Sequence, residues 1–230
     1  MFDVALLQQD VNNLSKSNWL AHYQTKHYEG EWSAIPLRSI NGNADSIIVS
    51  PTENAHYADT IFLNQSPYLQ QILHSFKCPL QAVRLLKLNA GASIKEHNDA
   101  DLCFEKGEIR LHIPVITHTN VEFYLQDERL IINEGECWYM NFNLPHRINN
   151  NSPVNRIHLV IDAVVNDWVN EVFTADTIEI KKEIEVAESR FSIEEKKEMI
   201  YQFRKMNTDV TNKLADDLEK ELVLLYDQQN

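Results

Sequence analysis

Apolar residues recur at Val4, Leu6, Leu7, Val11 and Leu14, a spacing that predicts an N-terminal helix, and the following "KSNWLAHY" predicts a second turn of helix. From "EGEWSAIPLRSI" to "SIIVS" the runs become short and strand-like. "NGNADS" between them is rich in turn formers, so a hairpin is expected there. "QSPYLQQILHSF" returns to helical spacing through Leu69, Ile72, Leu73 and Phe76, with Ser66 as N-cap and Pro67 at the first helical position.

Residues 81–165 carry β-type runs in close succession: "AVRLLKLNAG", "EIRLHIPVITH", "VEFYLQ", "RLIIN", "CWYMNF" and "RIHLVIDAVV". Short strands with no helices between them predict an antiparallel sandwich or barrel. After Trp168 the chain turns Glu- and Lys-rich, with apolar residues three and four apart, which predicts amphipathic helices outside the β core. The expected organisation is a mainly β domain with N-terminal helices over residues 1–168 and a helical extension over 169–230. That extension reads as a solvated helical face, with partner binding or dimerisation as the alternative.

The 230 residues, 43% of them hydrophobic, suffice for one substantial core. A formal charge of −13 disfavours nucleic acid and anionic membrane as partners, since both would be repelled over most of the surface. Cys78, Cys103 and Cys137 are odd in number and far apart, which argues against a disulfide framework and a zinc knuckle. Cys103 and Cys137 are expected to be small buried apolar residues. No secretory leader or long apolar run is seen, so a cytoplasmic location is expected.

The candidate chemistry begins in "ASIKEHNDADL". Residues i and i+2 of a strand share a face, so His97 and Asp99 can present an imidazole and a carboxylate to one ion, while Asn98 points away. Asp101 is the nearest rival carboxylate. A His-x-Asp pair is weak alone and needs a third ligand; His146 follows 49 residues later. In "RIHLVID", Arg156, His158, Val160 and Asp162 share one face opposite Ile157, Leu159 and Ile161. In "EIRLHIPV", Arg110 and His112 likewise share a face opposite Ile109, Leu111, Ile113 and Val115. Each such face is either solvated surface or the lining of an anion pocket, and two of them beside a possible metal set favour the pocket. Two histidines and a carboxylate leave positions open on a metal, as in non-haem iron(II) oxygenases, and an adjacent arginine can grip a carboxylate with paired hydrogen bonds.

The ordered motifs "HND", "EIRLHIPV", "GECWYMNFNLPH" and "RIHLVID" resemble the iron(II)- and 2-oxoglutarate-dependent dioxygenases of the aspartyl/asparaginyl β-hydroxylase family, a group that includes bacterial free-proline hydroxylases. The resemblance covers about residues 81–168, with a weaker likeness in "KSNWLAHY", "EGEWSAIPLRS" and "QSPYLQQIL". It implies a double-stranded β-helix (jelly-roll, cupin-like) core. It also implies His97, Asp99 and His146 as catalytic iron ligands, Arg156 on the distal carboxylate of 2-oxoglutarate, and Arg110 and His112 near co-substrate or substrate. Some family members lack the carboxylate ligand; this chain has Asp99.

The implied reaction uses iron(II), 2-oxoglutarate and dioxygen to hydroxylate a free amino acid, or an amino-acid residue of a small peptide or natural product, releasing succinate. Hydroxylation of Asp or Asn in a protein substrate is the alternative within the family. A non-catalytic cupin-like protein that binds a metal or small acid is the alternative outside it. Trp32, Arg38 and Trp138 are candidates for the substrate wall, Arg38 as a partner for a substrate carboxylate, with core or surface roles equally open. His158 is expected to be buried and hydrogen-bonded, and His22, His27, His56, His74 and His118 to be surface or packing residues. The residues leave oligomeric state open, a homodimer included.

Overall fold

The computed structural model describes residues 1–14, 19–49, 55–99, 102–174 and 193–206, with 212, 215–216, 218–220 and 222. Helix α1 (Val4–Leu14) buries Leu7, Val11 and Leu14, the stripe set by its apolar spacing. Two short strands, β1 (Leu20–Ala21) and β2 (Tyr28–Glu29), precede the long β3 (Trp32–Ile40). β4 (Tyr57–Asp59) and helices α2 (Ile61–Asn64) and α3 (Pro67–Ser75) come next. The strands that follow are β5 (Leu80–Leu88), β6 (Ser93–His97), β7 (Glu108–Ile116), β8 (Val121–Leu125), β9 (Glu128–Leu130), β10 (Trp138–Tyr139), β11 (His146–Asn150) and β12 (Arg156–Val164). Helix α4 (Asp167–Thr174) and, later, α5 (Ile193–Met206) complete the described elements.

The strands form two antiparallel sheets. One runs β1-β3-β5-β12-β7-β10, with β4 on the free side of β3; the other runs β2-β6-β11-β8-β9. From β5 to β8, and again from β10 to β12, successive strands fall in alternate sheets, the winding of a double-stranded β-helix. Trp32, Leu86, Leu88 and Val160 from the first sheet meet Ile94, Phe123 and Ile148 from the second in one apolar cluster between them. The first sheet is covered on its other face too: α1 packs against α3 and β7, and β12 is buried at every residue from Arg156 to Ala163. The inward face of β12 therefore carries Arg156, His158 and Asp162 into the interior, not into solvent.

Several expectations are corrected here. The second helical turn after α1 is instead β1, pairing Leu20 with Ala34 and Ala21 with Ser33. The turn at Asn41 and Gly42 forms, both at positive φ (55° and 69°), but β3 pairs with Tyr57–Asp59 and not with "SIIVS". Ile47 is taken into the core between the sheets, which removes that segment from the ladder. "RINN" after His146, absent from the β-type runs above, is part of strand β11; its Asn-rich composition is accommodated because Asn150 donates to the backbone oxygens of Leu88, Asn89 and Val154. Cys103 is buried, whereas Cys137 is exposed.

The chain divides into two compact units, Met1–Val172 and Phe173–Asn230. In the second, Arg204 of α5 donates to Asp216 at 2.6 Å and to Glu219 at 3.0 Å, exposed pairs that contribute little to stability. No helix among the described residues is long and apolar enough to cross a membrane.

Ser66 does not cap α3 through its side chain; its hydroxyl donates to the Phe62 carbonyl at 2.9 Å. The cap comes from another helix. Buried Asp10 accepts from the backbone N–H of Tyr68 at 2.9 Å and of Leu69 at 3.0 Å. A carboxylate there satisfies two orphan donors and complements the positive end of the helix. Asp10→Ala is expected to destabilise the protein by about 1–2 kcal/mol, read as a lower urea midpoint at unchanged slope.

Candidate metal centre and its cavity

β6 and β11 are antiparallel neighbours, and their register sets His97 directly opposite His146. The two imidazole centroids lie 4.3 Å apart. Asp99 sits two residues beyond the end of β6, where its backbone N–H donates to the Phe142 carbonyl at 2.9 Å and holds the turn. One ligand atom from each of His97, Asp99 and His146 lies within 4.8 Å of the others, a group that could hold a metal ion. Asp101 falls outside the described residues.

The surroundings prepare both histidines. Nδ1 of His97 bonds the Lys95 carbonyl at 2.8 Å, and Nδ1 of His146 bonds the Leu144 carbonyl at 3.0 Å. Because a carbonyl only accepts, each Nδ1 carries the proton and each Nε2 keeps its lone pair for a metal. Burial pushes the pKa of His146 down to about 4, so it is neutral near pH 7 and competes weakly for protons.

A charged network ties this group to the first sheet. Register places Arg110 opposite Asp162 and Arg84 opposite Val160, so both guanidiniums reach the Asp162 carboxylate. Arg110 donates to it through Nε at 2.5 Å and Nη2 at 3.0 Å, and Arg84 through Nη2 at 2.8 Å. Arg110 Nη1 donates to Asp99 Oδ2 at 2.5 Å. Burial alone would raise the Asp162 pKa, but Arg110 and Arg84 more than offset it and hold the carboxyl below its usual range. Burial alone would lower that of Arg110, and Asp162 and Asp99 reverse the direction.

Arg156 is different. It is 1% exposed, its Nε has no partner, and among the described residues it pairs with no carboxylate. Its Nη2 reaches Nδ1 of His158 at 3.0 Å, and that same nitrogen lies 3.3 Å from Nδ1 of His112. A guanidinium can only donate, so His158 Nδ1 accepts. Burial pushes Arg156 down to about 9, which leaves it charged at neutral pH. Burial first, then the Arg156 charge, drives His112 and His158 well below the ordinary histidine value.

These groups line a cavity of about 640 Å³ that includes His97, Asp99, His146, Arg110, His112 and Arg156. Trp32 lines it as well; Arg38 and Trp138 do not. The Arg38 guanidinium is taken up by Asp59 and by the Tyr57 and Leu80 carbonyls, and Trp138 donates to Glu136 at 2.7 Å. His158 lies behind Arg156, buried and hydrogen-bonded. The lining also includes Asp162, read from the sequence only as a residue on the Arg156 face, His22, read as surface or packing, and Arg84, which sequence reasoning passed over. Arg84 had a signal: in "AVRLLKL" it shares a face with Leu86 and Leu88, whereas Lys87 lies on the other. His22 had none, because its segment carried a helical pattern.

His22, His112, His146 and His158 are all held uncharged by burial. In the unfolded chain each would titrate near 6.5. Below that pH the unfolded state takes up protons that the folded state refuses, so stability falls as pH drops, by about 1.4 kcal/mol per unit for each such group. The urea midpoint of metal-free protein is expected to drop steeply between pH 7.5 and 5.5; a flat profile would show that these histidines are protonated in the fold.

Residues 2–165 match the sequence profile of the aspartyl/asparaginyl beta-hydroxylase family. L-proline cis-4-hydroxylase of Rhizobium meliloti (strain 1021) is 27% identical over 194 residues, which span 80% of this chain and 68% of the relative. Solved structures with a likeness to it include a predicted oxalate decarboxylase from Thermotoga maritima (TM-score 0.38, 13% identity, 66% of this chain and 96% of that one). A cupin-like protein of the same organism is another (TM-score 0.35, 10% identity, 63% and 75%). With its profile matched across the whole β core, this chain belongs to the aspartyl/asparaginyl beta-hydroxylase family.

Proposed function

We propose that the protein is an iron(II)- and 2-oxoglutarate-dependent hydroxylase of a free amino acid, with L-proline the first candidate. The observation that carries this reading is Arg156: a buried guanidinium with no carboxylate partner among the described residues, on the wall of the same cavity as a two-histidine, one-carboxylate group. A buried charge left unpaired is costly, and a bound anion removes that cost. The distal carboxylate of 2-oxoglutarate suits it, with the Phe123 ring alongside at 5.5 Å from Cζ and His158 fixing the guanidinium from behind.

In this reading His97, Asp99 and His146 hold the iron through Nε2, a carboxylate oxygen and Nε2. The metal set fits: imidazole and carboxylate donors with open positions are those of iron(II) oxygenases. Bound iron supplies the redox chemistry that couples decarboxylation of 2-oxoglutarate by dioxygen, to succinate and carbon dioxide, with insertion of one oxygen atom into a substrate C–H bond. Arg110 holds one Asp99 oxygen, which would leave the other for the ion, and His112 and Phe142, stacked with centroids 4.9 Å apart, line the same cavity.

Charge points to the substrate class. Iron(II), Arg84, Arg110, Arg156 and Lys106 bring six positive charges to the cavity, and Asp99, Asp162, Glu108 and the 2-oxoglutarate dianion bring five negative ones. The remaining positive charge sits by the Arg84–Arg110 pair, where a substrate carboxylate would bind. A cavity of about 640 Å³ holds 2-oxoglutarate and a compact amino acid together. The named activity of the Rhizobium meliloti relative, on L-proline, agrees with that size.

The test is a screen of the twenty amino acids and short peptides for succinate release with a mass gain of one oxygen. A free amino acid is expected to be hydroxylated; turnover of Asp- or Asn-containing peptides alone would move the substrate to polypeptides, and no turnover at all would overturn the reading. Arg156→Ala is expected to weaken 2-oxoglutarate binding by about 100-fold or more while iron affinity stays within about twofold. Anaerobic titration with iron(II), then with 2-oxoglutarate, separates the two affinities.

A further inference from the structure

His22 lies directly after β1, where its backbone N–H donates to the Trp32 carbonyl at 2.9 Å. That bond lays its ring flat on the Trp32 indole, with centroids 3.5 Å apart and planes 13° from parallel. Tyr23 stacks on His22 at 4.8 Å, and Tyr28 stands edge-on to both His22 and Trp32. The Tyr28 hydroxyl donates to the His22 carbonyl at 3.2 Å, closing the cluster. The ring is thus fixed on its faces and at its backbone, and His22, Tyr23 and Trp32 all line the cavity.

The nitrogens of His22 have unequal surroundings. Nδ1 accepts from the backbone N–H of Gln24 at 3.4 Å, which puts the ring proton on Nε2. Among the described residues Nε2 bonds to no protein group, yet it is not one of the sealed, unpartnered buried atoms. Burial, and then the nearby charges of Arg84 and Arg110, push the pKa down to about 3, so the ring presents an uncharged N–H near neutral pH. The two guanidiniums are its leading charged neighbours, and both belong to the end of the cavity assigned above to a substrate carboxylate.

We propose that His22 is a substrate-binding and specificity-determining residue: from the edge of a ring whose faces Trp32 and Tyr23 hold, its Nε2–H is the third donor, after Arg84 and Arg110, to the carboxylate of the amino acid. This rests on the amino-acid hydroxylase reading. A neutral donor suits the place. A third cation would add charge beyond what one carboxylate balances and would repel the substrate's ammonium group. An apolar ring would leave part of the carboxylate unbonded after it loses its water.

The test is anaerobic calorimetry on iron(II)- and 2-oxoglutarate-loaded protein. The ligands are the best substrate of the amino-acid panel, L-proline first, and the amide of the same amino acid. His22→Phe keeps the stack and removes the donor; it is expected to weaken the acid about tenfold and the amide less than twofold, with 2-oxoglutarate affinity unchanged. His22→Gln, which restores an N–H, is expected to recover most of the acid's affinity. Equal losses for acid and amide, or no loss for the acid in His22→Phe, would overturn the donor role while leaving the hydroxylase reading in place. Wild-type protein that takes up 2-oxoglutarate but binds none of the twenty amino acids would overturn both.

Discussion

The Asp162 carboxylate is the anchor of the charged interior. It is 1% exposed and accepts from Arg110 twice and from Arg84 once. Two cations could not share that space unneutralised, and neither would hold its rotamer. Because Arg110 also grips Asp99, the register of β12 against β7 is carried across the interior to a candidate metal ligand just beyond β6 of the other sheet. Removing Asp162 would free two buried charges at once and release Asp99, so the carboxylate links the stability of the barrel to the shape of the site.

The histidines of the interior act as uncharged polar groups, and burial makes them so. His112 and His158 share a nitrogen-to-nitrogen contact in which His158 Nδ1, already an acceptor from Arg156, accepts and His112 Nδ1 donates. Arg156 supplies a second donor to the same His158 nitrogen, which orients its guanidinium without neutralising it. In the proposed reading, a bound anion would do the neutralising. The arrangement keeps a cation deep in the barrel with its charge unspent, which distinguishes Arg156 from Arg84 and Arg110, both already bound to carboxylates within the chain.

Much of this was legible in the sequence where period-2 alternation survives burial. The face of β12 bearing Arg156 and His158, and that of β7 bearing Arg110 and His112, could be read directly, because polar residues interrupt otherwise apolar strands. His97 and Asp99 were legible as a pair through their i, i+2 spacing; what brings His146 to them is cross-strand register, which no local pattern reports. β11 was missed because its asparagines look like turn residues, and only the tertiary fold shows that Asn150 bonds three carbonyls of other segments. The cap of α3 was missed for a related reason: Ser66 has the local signature, but Asp10, distant in sequence, is brought close by the packing of α1 on α3. His22 was illegible altogether, since its role depends on a two-residue strand that pairs with β3 and stacks it on Trp32.

The positions of the cations impose an order on what can enter. Arg156 begins β12 and is almost sealed from solvent, whereas Arg84 stands opposite Val160, roughly 13 Å along the strand, and Arg110 opposite Asp162, roughly 20 Å along it. The histidines and Asp99 come from the opposite sheet and the turn beyond β6. A ligand that satisfies Arg156 and also reaches His97 and His146 must carry two acceptor ends on a short chain, as a small 2-oxo dicarboxylate does. A second ligand is then left the other end of the face, where the guanidiniums are partly neutralised and the wall is aromatic. In the proposed reading, two anion sites of different residual charge would sort two carboxylic acids within one cavity: the uncompensated site would take the dianion, and the compensated one a zwitterion whose ammonium group a stronger field would exclude.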